Sequence, residues 1–268
     1  MSTTAIPAAL VKELRDLTGA GMMDCKRALV ETGGDLEAAQ RLLREQGLAE
    51  AGKRAGRETS EGRVVSHVGG ASGAIVAIGC ETEPVSGNEE FLAFAQHVLD
   101  LVRLEGPEAV NALEDERTEL VAKLGENIVV VGAERYEAGE GGGVVADYIH
   151  PPAQKIGVLV HATASPELAR MVAMHVAAAR PTYMSREEVP EAEVAAERSV
   201  FEKLPEVESK PEEVREKIVD GMLAKRFFAQ SVLLDQAWVH DPSLAVGQAL
   251  AEHGAEVKAF VRYNVGRE

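Results

Sequence analysis

The spacing of apolar residues over the first fifty positions predicts three short helices. Leucines recur at helical intervals at positions 10, 14 and 17, and Pro7 suits the first turn of such a helix. Glycines at 19 and 21 break this stripe, and a second helix is expected over residues 22–32. Asp35 then caps a third helix that we expect to end at Gly47. The pattern is typical of a small helical bundle, which we assign, with its linker, to residues 1–55.

After this bundle the pattern changes to apolar strands followed by helices, and it occurs twice. The charged segment 50–63 predicts either a linker or an exposed helical extension. Two apolar runs around the turn GGASG then predict a strand hairpin, followed by helices. The same order returns over residues 144–176. We therefore expect an α+β fold with two similar subdomains, each an antiparallel sheet plus helices, over residues 56–140 and 141–268.

A segment inside the second subdomain, residues 186–228, predicts a helical hairpin. It is rich in Glu, Lys and Arg, and its apolar residues recur at helical spacing. Pro205 is expected to shorten the first of its two antiparallel arms. The residues expected to form the apolar stripe are Val194, Val200, Phe201, Leu204, Val214, Ile218 and Met222.

The two subdomains differ at the corner between their second strand and the helix that follows. Equivalent histidines in the two helices lie 17 residues after Cys80 in the first copy and 14 residues after His161 in the second. The extra length falls in the stretch TEPVSGN. Pro84 ends a strand because it has no N–H, and Ser86 or Asn88 would cap the next helix. The corner is therefore either a structural joint or a protruding working site.

Charge narrows the class of partner. The formal net charge is −16, from 28 basic and 44 acidic residues, and such a surface repels nucleic acid and anionic lipid. No apolar run approaches the roughly 20 residues of a membrane span. The start, MSTTAIPAALVKEL, lacks a basic segment followed by an apolar one, so we expect no signal peptide. With Cys25 and Cys80 expected to be reduced, the sequence predicts a cytoplasmic protein without nucleic acid or membrane as direct partner.

No local grouping of residues is typical of catalysis or metal binding. The seven histidines are dispersed, and neither HExxH nor CxxC occurs. The run GLAEAGK (47–53) has most of the P-loop spacing, but Arg54 stands where a Mg²⁺ ligand is required, and the run follows a helix instead of a strand. We expect no cofactor and no bound metal. An enzyme acting through Cys80, Glu83 or His150 is the alternative.

The segment LRDLTGAGMMDCKRAL (14–29) combines a glycine turn with flexible apolar and basic side chains. Met22 and Met23 place adaptable apolar groups beside the turn, and Lys26 adds positive charge to the next helix. In a chain of net charge −16, this edge suits an acidic partner helix. An ordinary helical bundle with a solvated basic face explains the same residues.

This segment closely resembles the N-terminal signature of the bacterial elongation factor Ts family. The resemblance continues through LVAKLGENI (120–128), YIHPPAQKIGVLVHA (148–162), MVAMHVAAARP (171–181) and VGQALAEHGAEVKAFVRYNVG (246–266). Members are translation elongation factors and guanine nucleotide exchange factors, not enzymes. They bind elongation factor Tu with GDP and promote GDP release by disturbing its Mg²⁺ and phosphate site, so that GTP can bind again.

The resemblance also implies an architecture. It consists of a ubiquitin-associated-like three-helix domain, a core of two α+β subdomains, and a helical hairpin inserted in the second. The hairpin is a candidate for self-association into a homodimer. Some members carry a further C-terminal helical module, which we expect to be missing because this chain stops just after Gly266.

The resemblance implies that Thr82, Glu83, Pro84 and Val85 displace the partner's Mg²⁺. The family normally has Thr-Asp-Phe-Val here, and the Phe wedges between helices of the partner. Pro84 replaces that Phe, so either Pro84 fills a smaller pocket of the partner, or Val85 or Phe91 acts as the wedge. A binding or chaperone-like protein without exchange activity is therefore a second alternative. The implied partner-binding residues are Met22, Met23, Lys26, Leu124, Gly125 and His150.

Overall fold

Three helices form the N-terminal bundle in the computed structural model, which describes residues 6–69, 71–139 and 142–266. They are α1 (Ala8–Thr18), α2 (Met22–Glu31) and α3 (Leu36–Arg54). The Asp35 side chain accepts a hydrogen bond from the Ala38 N–H at 2.9 Å, which confirms the predicted cap of α3. The core of the bundle consists of Val11, Leu14, Cys25, Ala28, Leu29 and Ala39.

Two details of the predicted bundle are wrong. The third helix does not end at Gly47 but continues to Arg54, so the first part of the charged segment is a helical extension. Gly47 allows close packing instead, because a Cβ at this position would lie 2.7 Å from the Cβ of Ala122. Leu17 was expected in the buried stripe, yet its side chain is 56% exposed.

The strands and helices after the bundle follow the predicted order. Strands β1 (Glu61–Gly69), β2 (Ser72–Cys80) and β3 (Val129–Glu137) form a sheet in the order β1-β2-β3. From Gly73 to Cys80 every residue of β2 is buried, because the run is apolar on both faces. Gly70, in the predicted turn of the hairpin, lies outside the described residues, as does the start of the chain to Ala5.

Three helices connect β2 to β3. They are the single turn α4 (Glu83–Ser86), α5 (Glu89–Glu105) and α6 (Glu114–Leu124), with a 3₁₀ segment over Pro107–Leu113 before α6. Asn88 caps α5, because its side-chain oxygen accepts from the Glu90 N–H at 2.8 Å. The buried face of α5 consists of Phe91, Phe94, Ala95, Val98, Leu99 and Val102.

Helix α6 packs against the N-terminal bundle as well as α5. Besides the close approach of Gly47 to Ala122, Arg44 of α3 forms an ion pair with Glu119 at 2.6 Å. Lys123 forms a second pair with Glu90 of α5 at 2.7 Å. Exposed ion pairs contribute little to stability, so the packing of α3 on α6 is the main support for the bundle at this place.

The second strand-and-helix repeat contains β4 (Val144–Ile149), β5 (Ile156–Thr163) and α7 (Pro166–Ala179). Strand β5 lies between β4 and the last strand, β8 (Glu256–Asn264). β4 and β5 are antiparallel, with Val145 opposite His161. The short elements β6 (Ala237–Trp238), β7 (Asp241–Ala245) and α12 (Val246–Glu252) complete this part of the chain.

The predicted helical hairpin is present. Its arms are α8 (Glu191–Glu202) and α10 (Glu212–Met222), joined through the single turn α9 (Pro205–Glu208). The first arm ends before Pro205, as expected from this proline. A π-helical turn (Leu223–Phe228) and α11 (Ala229–Ser231) follow α10. The hairpin has a core of its own, made of Phe201, Val207, Val219 and Leu223. Val200 and Val214, expected in the apolar stripe, are 55% and 41% exposed.

The equivalent histidines of the two repeats have different environments. His175 is fully buried: its Nδ1 accepts from the Val239 N–H at 3.3 Å, so its Nε2 donates to Gln236 Oε1 at 2.9 Å. Burial lowers the pKa of the His175 imidazole, although the bond to Gln236 acts in the opposite direction. His97 is exposed and lies 2.9 Å from a Glu116 oxygen. Of the two equivalent histidines, only His175 is therefore packed in the interior.

The chain divides into two compact units. The first contains the residues up to Val65, Val76–Ala133 and those from Asn264 onward; the second contains Ser66–Ile75 and Glu134–Tyr263. The predicted α+β class with an N-terminal helical domain is confirmed. The three-part division at residues 55 and 140 stays a prediction. In the part of the chain that the structure describes, no helix is long and apolar enough to cross a membrane.

Candidate functional site

The corner after β2 is longer than its counterpart in the second repeat. Residues 81–88 separate β2 from α5, whereas only residues 164–165 separate β5 from α7. The additional chain forms the single turn α4, in which Pro84 occupies the first turn and loses no hydrogen bond. Glu83 and Pro84 are exposed, and Val85 is half-buried. The corner therefore presents a short rigid tip, residues 83–85, to solvent.

One carboxylate holds the start of this corner. Glu126 Oε2 accepts hydrogen bonds from the backbone N–H groups of Glu81 and Thr82, at 3.1 and 3.0 Å. Its Oε1 accepts a bond from the Thr82 hydroxyl. Both N–H groups lie just past the last residue of β2, where the strand ladder no longer supplies acceptors. Glu126 replaces those acceptors with charge-assisted bonds.

A second carboxylate, that of Glu81, makes the reciprocal contact with the segment that contains Glu126. Glu81 Oε1 accepts from the backbone N–H of Asn127 at 2.7 Å and lies 3.5 Å from a guanidinium nitrogen of Arg57. Asn127 is buried, and its side-chain amide donates to the Arg57 carbonyl at 2.8 Å. Each of these two segments, 81–82 and 126–127, therefore contributes a carboxylate that accepts hydrogen bonds from backbone N–H groups of the other.

The other end of the corner is also fixed. Arg63 Nε of β1 donates to the Ser86 carbonyl at 3.1 Å, and the Ser86 hydroxyl donates to the Glu83 carbonyl at 2.8 Å. Of the two predicted caps, Asn88 therefore caps α5, and Ser86 closes α4. With both ends fixed, the tip is presented from a rigid scaffold.

The structure brings Leu124 and Gly125 beside this corner. Gly125 ends α6 in a left-handed conformation, with φ of 78° and its N–H bonded to the Val121 carbonyl at 3.0 Å. The next residue is Glu126, whose carboxylate holds Thr82. Two segments that the sequence marked separately, 82–85 and 124–125, are therefore linked through Glu126.

Met22, Met23 and Lys26 lie on the solvent-facing side of α2. The two methionines are 54% and 66% exposed, and Lys26 is exposed. Two further apolar side chains accompany them, Leu17 at 56% exposure and Val30 at 54%. On α2, Met23, Lys26 and Val30 share one helical face by their spacing, and an exposed apolar face is typical of an interaction surface.

His150 belongs to the second unit and follows β4. It is exposed, and its Nδ1 lies 2.9 Å from the Tyr148 hydroxyl. The imidazole borders a surface depression lined by Tyr148, Met174, Val239 and His240, among others. This lining is mainly apolar and aromatic, and it includes the cationic side chain of Arg180.

The candidate catalytic residues of the enzyme alternative are not brought together by any described contact. Cys80 is fully buried, with its Sγ 3.3 Å from the Thr82 carbonyl oxygen, whereas Glu83 is exposed. Among the described residues, no group of three or more His, Cys, Asp and Glu side chains could hold a metal ion.

Comparison with known proteins places these elements in a family. The family model described as "Elongation factor TS" matches residues 81–267. The protein named "Elongation factor Ts" from Alkalilimnicola ehrlichii is 45% identical, over 98% of this chain and 92% of that protein. The chain belongs to the elongation factor Ts family. Two further proteins of the same name are similar to the chain. The one from Shewanella amazonensis is 44% identical, over 98% of this chain and 91% of that protein, and the one from Vibrio cholerae is 43% identical, over 98% and 92%.

The chain is thus a translation elongation factor of the elongation factor Ts family, and its structure corrects one sequence-based expectation about the wedge. Phe91 was one of the residues that could act as the wedge if Pro84 does not fill a smaller pocket of the partner. It is fully buried in α5, with 0% exposure, and cannot reach a partner without unfolding that helix. Pro84, exposed at the tip, and Val85, half-buried beside it, remain the candidates.

Sequence reasoning missed several residues of this elongation factor Ts family member. Glu126 and Asn127 lie inside the motif LVAKLGENI, but nothing local shows that they contact residues 81–82. Arg57 lay in a segment interpreted as linker. Leu17 and Val30 have the spacing of core residues, so only the structure reveals their exposure.

Proposed function

We propose that the chain is the guanine nucleotide exchange factor of elongation factor Tu. In this proposal it binds elongation factor Tu carrying GDP, and the tip at residues 83–85 disturbs the partner's Mg²⁺ and phosphate site, so that GDP leaves and GTP can bind. The observation that carries the proposal is the exposed tip, fixed at both ends, in a chain of this family.

The tip offers two kinds of contact. Glu83 carries an exposed carboxylate, whose oxygens are ligands that Mg²⁺ accepts. Val85 presents an apolar group one residue beyond the rigid Pro84. The segment that displaces the partner's Mg²⁺ consists of Thr82, Glu83, Pro84 and Val85, with Val85 filling the place of the family's aromatic wedge.

The remaining candidate residues contact elongation factor Tu but do not enter its Mg²⁺ site. Met22, Met23 and Lys26 form an apolar and basic anchor on α2, which suits an acidic surface of the partner. Leu124 and Gly125 contact the partner beside the tip, and His150 makes a separate contact from the second unit. Neither nucleic acid nor a membrane takes part, and the reaction needs no cofactor of this chain.

The double substitution of Met22→Ala and Met23→Ala should weaken binding to elongation factor Tu about tenfold or more. The reason is that both side chains lose apolar area that the partner would cover, while the exposed sites cost the fold little. Titration calorimetry measures the affinity. Lys12→Ala, an exposed change on α1 of the same bundle, is the matched control and should bind normally. Equal affinity of both variants would contradict the proposed anchor.

Thermodynamic linkage provides the test of the proposal as a whole. If the chain weakens GDP binding to elongation factor Tu, GDP must weaken binding of the chain by the same factor. The affinity of the chain for nucleotide-free elongation factor Tu should therefore exceed its affinity for the GDP-bound form. Equal affinities for the two forms would contradict exchange activity.

Pro84 favours a second candidate function, a protein that binds elongation factor Tu without exchanging its nucleotide. The family's large aromatic wedge is missing at this position. Tight binding with unchanged GDP release would support this candidate over the first. Pro84→Phe restores the aromatic side chain. Faster release by this variant would show that the partner retains the aromatic pocket, and slower release that the pocket has changed as well.

We also propose that the hairpin mediates formation of a homodimer. Val200 and Val214 are exposed on its two arms, outside the hairpin's own core. Sedimentation equilibrium of the full chain tests this proposal, and a monomer at all concentrations would contradict it.

A further inference from the structure

We infer that Glu126 is a positioning residue for nucleotide exchange: it holds the 82–85 tip in its working orientation without touching the partner's nucleotide. The inference rests on the proposed function of that tip. Its basis is the carboxylate of Glu126, which accepts from two backbone N–H groups and one hydroxyl of residues 81–82.

The position of these bonds explains their importance. β2 ends at Cys80, and α4 begins at Glu83. The two residues between them belong to neither element, so the Glu126 carboxylate fixes the direction in which the chain leaves the sheet. Charge-assisted bonds of this kind are stronger than those between neutral groups. Loss of the carboxylate would let residues 81–82 rotate and would tilt the tip that follows.

The same contact joins two segments that the proposed function uses. Glu126 directly follows Leu124 and Gly125. The reciprocal hydrogen bond from the Asn127 N–H to Glu81 Oε1 is a second connection between the corner and the end of α6. The tip and the end of α6 are therefore held as one body. The anchor on α2 lies on a different helix and does not depend on this connection. A defect at Glu126 should consequently reduce the rate of exchange at saturation more than the affinity for the partner.

Glu126→Ala removes all three bonds, and Glu126→Gln keeps one side-chain oxygen as acceptor. GDP release from elongation factor Tu, followed with fluorescent GDP over a range of factor concentrations, gives the maximal rate and the half-saturating concentration. For Glu126→Ala we expect the maximal rate to fall on the order of tenfold, with an unchanged half-saturating concentration. Glu126→Gln should recover part of the rate. Asp115→Ala removes an exposed carboxylate from α6, the helix that precedes Glu126, and should behave like the wild type.

Amide hydrogen exchange of the free protein tests the positioning contact independently of exchange activity. Glu126→Ala should increase exchange in a peptide covering residues 81–88, while α5 and α6 stay protected. Thr82→Val, which removes only the hydroxyl bond, should show a smaller effect in the same peptide. This variant carries the test if Glu126→Ala unfolds more widely.

Two outcomes would overturn the inference. One is a Glu126→Ala protein with wild-type protection of residues 81–88; the other is such a protein with a wild-type maximal rate of GDP release. A wild-type chain that does not accelerate GDP release contradicts the proposed function instead, and the hydrogen-exchange result then decides about the positioning contact alone.

Discussion

Deletion of residues 83–85 is expected to reduce GDP release from elongation factor Tu to its spontaneous rate. The deletion removes the exposed carboxylate and the apolar group of the tip, which the proposed mechanism brings to the partner's Mg²⁺ site. Binding should persist in weakened form, because the anchor on α2 is a separate element. Stopped-flow release of fluorescent GDP measures the rate, and titration calorimetry measures the remaining affinity.

A shortened corner could also strain its surroundings, since Thr82 and Ser86 are both held by hydrogen bonds. Replacing Glu83, Pro84 and Val85 together by alanine keeps the backbone length and removes only the side chains. This triple variant should lose most of the stimulated release as well. Alanine at Glu212 and Glu213, exposed residues in the first turn of α10, is the control. Release by the deletion variant that is as fast as with the intact protein would show that the working corner lies elsewhere.

Substitution of Phe91→Ala is expected to destabilise the fold by about 3–5 kcal/mol, as is typical for a large side chain removed from a packed interior. Phe91 has 0% exposure and lies on the buried face of α5. Chemical denaturation measures the free energy of unfolding. Under conditions in which the variant remains folded, its stimulation of GDP release should be close to that of the wild type.

Val85→Ala should give the opposite combination. The side chain is only half-buried, so we expect a loss of stability of about 1 kcal/mol or less. Stimulated release should nevertheless slow markedly, because Val85 is the apolar group of the tip. A Phe91→Ala protein that is stable but inactive, or a Val85→Ala protein with normal activity, would contradict the assignment of the wedge to Val85.

Features specified by neighbouring residues could be predicted from the sequence. The caps Asp35 and Asn88 occupy their predicted positions, because an N-cap needs only a short polar side chain before a helical pattern. The extra length of the corner followed from comparing the two repeats.

Features that depend on tertiary contacts could not be predicted. Gly47 was expected to end a helix, yet it serves the close approach of Ala122 from another helix. Leu17 continues the spacing of Leu14, but only Leu14 is covered by neighbouring helices. The contact between Glu126 and Thr82 joins residues 44 positions apart, and a carboxylate in the motif LGENI has no local sign of its distant partner.

The central claim is that this chain accelerates the loss of GDP from elongation factor Tu, and the most direct test is the release rate itself. Elongation factor Tu carrying fluorescent GDP is mixed with excess unlabelled GDP, with and without the wild-type chain. The account predicts that the release rate rises with the concentration of the chain and then saturates. A release rate that stays at its spontaneous value, while the chain demonstrably binds elongation factor Tu, would contradict it.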